Sequence, residues 1–242
     1  MPVMKRGQVI FVLALVFQPV ALVHAQTLSP AEQQLRSWID QHKNDQVAYL
    51  ARAVDIPSGT MNLAGVRRMG QFFRATLDSL GFTTRWIPMD SAGRAGHLFA
   101  EHKGRADSPT ILLIGHLDTV FEGDGTHWVR DGTDSIARGS GSNDMKGGDV
   151  VIIYALKALA ASGGLKDANI IVAFTGDEEK TGAPLSIARR DLLEAGRRAD
   201  IANPLCSHSA GARRAPPPWP SAATVRFFAP AGGWPPARHA GF

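Results

Sequence analysis

Residues 110–120, TILLIGHLDTV, decide the fold of this sequence. They begin with an almost continuously apolar run through Ile114, which is typical of a strand buried on both faces of a sheet. His116 and Asp118 follow directly after that run. In α/β proteins, sites form just beyond the carboxyl ends of strands, so these two polar side chains are candidates for function.

A second stretch, residues 169–179 with the sequence NIIVAFTGDEE, has the same organisation. Its apolar part also predicts a buried strand, and Glu178 and Glu179 stand where that strand has ended. If the two strands lie parallel in one sheet, their carboxyl ends meet at the same edge. The sequence therefore predicts that an imidazole and several carboxylates converge there.

The surrounding sequence alternates helical and strand-like segments. Ser29-Pro30-Ala31-Glu32 is a capping box that opens the first helix, and Gly81 closes the second. Helices are predicted over residues 29–53, 62–80, 147–161 and 184–195, and further strands over residues 82–87 and 97–102. This alternation predicts an α/β fold, a three-layer sandwich with a largely parallel sheet.

A glycine-rich loop, residues 138–148 with the sequence RGSGSNDMKGG, lies between the two strands and leads into a helix. It adds Asp144 to the polar groups expected at the sheet edge. So many acids beside one imidazole repel one another unless a cation neutralises them. Imidazole and carboxylate donors without a thiolate suit catalytic zinc, and they also suit manganese or cobalt. The sequence therefore predicts a metal site.

Other interpretations of these motifs are weaker. Taken singly, each acid is explained by a turn cap or a solvated helix start, and only their joint occurrence favours metal. A dinucleotide-binding loop requires a third glycine where Asp144 stands, and an acid there would repel the pyrophosphate. A serine hydrolase requires G-x-S-x-G, which neither Ser140 nor Ser142 satisfies. Three further histidines have no paired ligand spacing and are interpreted as strand or loop residues: His97, His102 and His127.

Three motifs together resemble the di-zinc metallopeptidases that include carboxypeptidase G, aminoacylases, peptidase T and succinyl-diaminopimelate desuccinylase. They are GHLDTV at 115–120, GSGSNDMKGG at 139–148 and GDEE at 176–179. The resemblance covers about residues 30–202 and implies a zinc-peptidase-like fold with two zinc ions. It implies that the metal ligands are His116, Asp144, Glu179 and Asp200, with Asp144 bridging both ions.

The resemblance also implies roles for the remaining acids. Asp118 would hold the His116 imidazole, as the outer partner that a metal-bound histidine needs. Glu178 would be the general base that takes a proton from a metal-bridged water and passes it to the leaving amine. The reaction implied is hydrolysis of a terminal amide or peptide bond in a small peptide or an N-acyl amino acid.

The amino-terminal residues predict export. Lys5 and Arg6 precede an apolar run over residues 9–17, and a small-residue exit ends at Ala25. This is the layout of a signal peptide with cleavage after Ala25, so we expect a periplasmic or secreted protein without stable membrane insertion. The single Cys206 permits no intramolecular disulfide.

The carboxy-terminal residues differ in composition from the rest. The 242-residue chain has a net charge of +4, but residues 201–242 contain four arginines and no acid, so residues 1–200 are neutral. A neutral body argues against a nucleic-acid partner. Eight of the 15 prolines lie in these last residues, which predicts a disordered tail over residues 203–242.

The sequence departs from the family pattern after residue 202. The lid domain, which provides the usual dimer surface, and a final histidine ligand for the Glu179 zinc are not found. We therefore expect an incomplete and impaired catalytic domain over residues 26–202. A change of reading frame is one explanation of the tail. The alternative function is a catalytically silent protein that binds metal.

Overall fold

A computed structural model of the chain describes residues 28–130 and 137–204. The predicted signal peptide at 1–25 and nearly all of the predicted tail at 203–242 lie outside these residues, so both remain predictions. Among the described residues, no helix is long and apolar enough to cross a membrane.

Three helices open the described chain: α1 at Pro30–Gln41, α2 at Lys43–Val54 and α3 at Leu63–Ser79. The capping box is confirmed, because Ser29 accepts from the Glu32 amide and the Glu32 carboxylate accepts from the Ser29 amide. The single helix predicted over 29–53 is instead divided at His42. The His42 ring stacks on Trp38 and donates from Nδ1 to the Trp38 carbonyl, which ends α1.

Seven strands follow in chain order. They are β1 at Thr83–Met89, β2 at Arg94–His102, β3 at Thr110–His116, β4 at Val129–Arg130, β5 at Ala137–Arg138, β6 at Asn169–Thr175 and β7 at Ile201–Pro204. Five of them form one sheet in the order β1-β2-β6-β3-β7, and β4 pairs with β5 alone. Strand β3 is parallel to both neighbours, whereas β1-β2 and β2-β6 are antiparallel.

The α/β prediction is confirmed, and the sheet is mixed rather than largely parallel. One reason is the short connection between β1 and β2, in which Gly93 adopts φ +66°. A tight turn joins strands that run in opposite directions, because a parallel pair needs a crossover of a dozen or more residues.

The two parallel connections determine the layers. Helix α4 at Gly147–Ala161 joins β3 to β6, whereas α5 at Leu185–Ala188 and α6 at Arg190–Arg198 join β6 to β7. Because β6 and β7 lie on opposite sides of β3, right-handed crossovers place these helices on opposite faces of the sheet. One face carries a core that includes Phe73 and Phe174, and the other carries a core that includes Phe99 and Ile171.

Candidate metal centre

The candidate site lies at the carboxyl end of β3. The connection from β3 leads to β6 on one side, and the connection from β6 leads back to β7 on the other side. Such a switch point leaves a crevice beyond the strand ends. His116 is the last residue of β3 and is 1% exposed. The preceding Gly115 permits close approach of α4, because a Cβ there would lie 2.1 Å from Asp149 Oδ1.

Three of the four predicted ligands lie close together, and His116 is one of them. One donor atom from each of His116, Asp144 and Glu179 lies within 4.8 Å of the other two. His116 Nε2 is 3.2 Å from Asp144 Oδ1 and 3.8 Å from Glu178 Oε2. One imidazole and two carboxylates without a thiolate form a donor set that catalytic zinc accepts. The residues present therefore fit a divalent metal ion.

The Asp118 carboxylate forms hydrogen bonds that support this cluster. It is fully buried, and Oδ2 accepts from the Thr60 hydroxyl at 2.7 Å and from the Glu179 amide at 3.1 Å. Its Oδ1 accepts from the Glu178 amide at 3.0 Å and lies 3.5 Å from His116 Nδ1. A single carboxylate thus fixes the backbone of both glutamates relative to the imidazole.

The His116 ring is oriented for binding through Nε2. Its Nδ1 donates to the main-chain carbonyl of Asp118 at 2.9 Å, which leaves Nε2 directed at Asp144. Burial opposes protonation of this imidazole, but the Asp118 carboxylate and the surrounding acids outweigh it and raise the pKa of His116 to about 9. Metal binding at Nε2 requires that nitrogen to be unprotonated, so a bound ion and a proton would compete for it.

Glu178 and Glu179 occupy the loop that follows β6. Burial, together with the neighbouring acids, raises the pKa of Glu179 above the usual glutamate range despite the opposing effect of His116. The loop is held from beneath by the fully buried Asp177, which accepts from the Gly182 amide and from the Arg189 guanidinium. These bonds fix the strand-end turn that presents both glutamates.

The structure corrects the prediction for Asp200. This residue precedes β7, and its carboxylate accepts from the Thr110 amide at the opposite end of β3. Since β3 runs from Thr110 to His116, the two ends are roughly 20 Å apart at about 3.3 Å per residue. Asp200 caps the amino-terminal end of β3 and does not reach the cluster.

Two further buried side chains form hydrogen bonds that the sequence did not predict. Thr60 bonds to Asp118, and the buried Lys146 donates to the carbonyls of Ile56 at 2.8 Å and Val54 at 3.4 Å. Burial lowers the pKa of Lys146 to about 8. The signal for Lys146 was its place within the glycine-rich motif, but Thr60 lies in a short connection with no periodic pattern.

Comparison with known sequences supports the predicted resemblance. Residues 112–213 match the sequence profile of peptidase family M20/M25/M40. Carboxypeptidase G2 from Pseudomonas sp. (strain RS-16) is 31% identical over 157 residues, which are 60% of this chain and 34% of that protein. A succinyl-diaminopimelate desuccinylase from Rhodospirillum centenum is 31% identical over 142 residues, 56% of this chain and 36% of that protein. The chain spans about a third of the length of these relatives.

Comparison with solved structures concerns the fold. The di-peptidase Dug1p from Saccharomyces cerevisiae superimposes with a TM-score of 0.59 at 19% sequence identity, covering 71% of this chain and 40% of that one. The α/β fold predicted from the alternating segments is thereby confirmed. The resemblance drawn from the three motifs is confirmed by the sequence relatives.

Proposed function

This chain is a relative of the M20/M25/M40 peptidases over its matched residues, and from that relationship we propose that it is a metal-dependent hydrolase of terminal amide or peptide bonds. The observation that carries the proposal is the cluster of His116, Asp144 and Glu179 at the switch point of the sheet. Zinc is the proposed ion, with cobalt or manganese as alternatives.

The proposed mechanism assigns one task to each side chain. A divalent ion held by His116, Asp144 and Glu179 would acidify water and polarise the scissile carbonyl. Glu178 takes the proton from the attacking water and delivers it to the departing amine nitrogen. Its carboxylate stands 3.8 Å from His116 Nε2, so it lies beside the ligands. Asp118 fixes the position of the imidazole relative to the two glutamates.

The proposed substrates are small peptides or N-acyl amino acids. The support is the names of the sequence relatives, a carboxypeptidase and a succinyl-diaminopimelate desuccinylase. The described residues contribute a cluster of candidate metal ligands and a candidate base, and neither identifies a substrate side chain. The substrate within this class therefore has to be found with a panel.

The test is a pair of glutamate substitutions in the full chain loaded with zinc. We expect Glu178→Gln to retain bound zinc but to lower hydrolysis of N-acyl amino acids and dipeptides by about 10²–10⁴-fold, because the general base is lost. Glu194→Gln, on the exposed side of α6, is the matched control and should hydrolyse at the unaltered rate. Full turnover in Glu178→Gln would show that Glu178 is not the general base.

A second candidate function is metal binding without turnover. It is favoured by the ligand count, since the described residues cluster three donor side chains where the resemblance implies a two-ion site. Measuring bound zinc by elemental analysis beside turnover separates the two functions. Hydrolysis that depends on bound zinc supports the enzyme, whereas bound zinc without hydrolysis of any panel member supports the binding protein.

A further inference from the structure

The connection between α2 and α3 is attached to the metal centre although no ligand comes from it. In this connection, the Ser58 carbonyl accepts from the Thr119 amide at 2.9 Å, and the Thr60 amide donates to the Thr119 carbonyl at 3.2 Å. These two bonds form an isolated parallel bridge between Gly59 and Thr119. The backbone around Thr60 is therefore fixed to the residue that follows Asp118.

The Thr60 hydroxyl makes the shortest of the bonds to the Asp118 carboxylate, at 2.7 Å. Thr60 is itself buried, so its hydroxyl has no access to bulk water as an alternative partner. Its β-branched side chain has few χ1 rotamers, and together with the bridge this delivers the hydroxyl from a defined direction. Thr60 is thus arranged to orient Asp118.

We propose that Thr60 is a positioning residue that sets the orientation of the Asp118 carboxylate and, through it, the metal affinity of the His116, Asp144 and Glu179 cluster. The inference rests on the proposed metal-dependent function. It extends that function to a residue 58 positions before Asp118 in the sequence.

The physical argument is the number of donors that a buried carboxylate requires. Asp118 Oδ2 has two donors, the Thr60 hydroxyl and the Glu179 amide. Without the hydroxyl, only the amide remains on that oxygen, and the carboxylate gains freedom to rotate about its Cβ–Cγ bond. Rotation misaligns Oδ1 with the Glu178 amide and with His116 Nδ1. Partners of this kind set ligand orientation, and their loss weakens metal binding.

Three variants of the full chain test the proposal. Thr60→Val keeps the shape of the side chain and removes the hydroxyl, whereas Thr60→Ser keeps the hydroxyl. Thr84→Val is the matched control, because Thr84 also donates to an aspartate, Asp78, on the exposed surface. We expect zinc affinity, measured by competition with a chelator, to fall by about 10-fold in Thr60→Val. It should recover in Thr60→Ser and stay unchanged in Thr84→Val.

A second measurement on the metal-free protein separates positioning from general destabilisation. Amide hydrogen exchange of Glu178 and Glu179 should quicken in Thr60→Val but not in Thr60→Ser, while exchange in the centre of β6 stays as in the wild type. Equal quickening throughout the chain, or unaltered exchange at both glutamates, would overturn the proposal. If the wild type binds no zinc, the proposed function fails, and the exchange measurement still decides the role of Thr60.

Discussion

At the scale of single residues, buried side chains with complete hydrogen bonding hold the two strand-end loops in place. Beside Asp118, the second example is His97 on β2. Its Nδ1 accepts from the Gly176 amide at 3.0 Å, and its Nε2 donates to the Ala188 carbonyl at 3.1 Å. Only a neutral imidazole accepts at one nitrogen while donating at the other. His97 thus joins the start of the Glu178 loop to the end of α5.

This arrangement makes stability depend on pH. Burial lowers the pKa of His97, and Arg189 acts in the same direction, although Asp177, Asp191 and the bond to Ala188 oppose it. As pH falls below the unfolded value of about 6.5, the unfolded chain takes a proton that the folded chain resists. Stability is therefore present above that pH and is lost as the solution becomes more acidic.

We expect His97→Gln to lower the free energy of unfolding by about 1–3 kcal/mol at pH 8, since the Gly176 amide loses its acceptor. The difference from the wild type should shrink between pH 7 and pH 5, because the glutamine does not titrate. Urea denaturation at several pH values measures it. A difference that stays constant over this range would contradict a neutral buried imidazole.

Most of the candidate site was predictable from sequence because its residues follow directly after strands. His116, Glu178 and Glu179 needed only the apolar runs before them. Asp200 failed because it precedes β7, which is parallel to β3, so it lies at the opposite end of β3 from His116. Thr60 was not predictable, since its contact with Asp118 depends on how a helix connection packs against a distant loop.

At the scale of elements, local sequence signals predicted where the helices lie but not where they are divided. Helix α4 has the predicted bounds, and Asn62 caps α3 next to the predicted start. The breaks at His42 and Arg189 were not predicted. The Arg189 side chain donates to Asp177 and to Thr181. The residue at the break between α5 and α6 thus holds the loop that carries Glu178 and Glu179.

Packing of α4 on β3 leads to a prediction about two glycines. Gly115→Ala should lower the free energy of unfolding by about 1–3 kcal/mol, because the new Cβ meets Asp149 Oδ1 at 2.1 Å and the Phe174 ring at 2.9 Å. Gly196→Ala on α6 is the matched control, since nothing lies within 4 Å of its Cβ position. There we expect a gain of about 0.5–1 kcal/mol.

Chemical denaturation of both variants measures these changes. Combining Gly115→Ala with Asp149→Ala should restore part of the loss, because the second substitution removes the clashing carboxylate. If the two losses simply added, the close approach of Asp149 to Gly115 would not be the cause.

At the scale of the whole molecule, the order of the strands creates the site. Strand β3 lies between β6 and β7 because the two crossovers run in opposite directions. The alternation of segments predicted the α/β class but not this order. The antiparallel β1-β2 hairpin escaped prediction because single strands carry no signal for their direction. The candidate ligands are nevertheless at the predicted edge, since β3 and β6 are parallel.

A metal ion bound there should stabilise the whole molecule. At a free zinc concentration about 100 times the dissociation constant, we expect the free energy of unfolding to rise by about 2.7 kcal/mol. His116→Ala should abolish the increase, whereas His127→Ala, which removes an exposed imidazole outside the cluster, should preserve it. Thermal denaturation with and without zinc provides the comparison. An increase that persists in His116→Ala would place the zinc elsewhere.

The bonds around Asp118 also bear on the order of folding. Thr60 lies 58 residues before it, and Glu178 lies 60 residues after it. Contacts between residues so far apart close large loops, so we expect them to form after the local helices and the β1-β2 hairpin. On this order, the ligand cluster is assembled late in folding. We expect a nascent chain to acquire the means to hold an ion only after the loop that follows β6 has joined the end of β3.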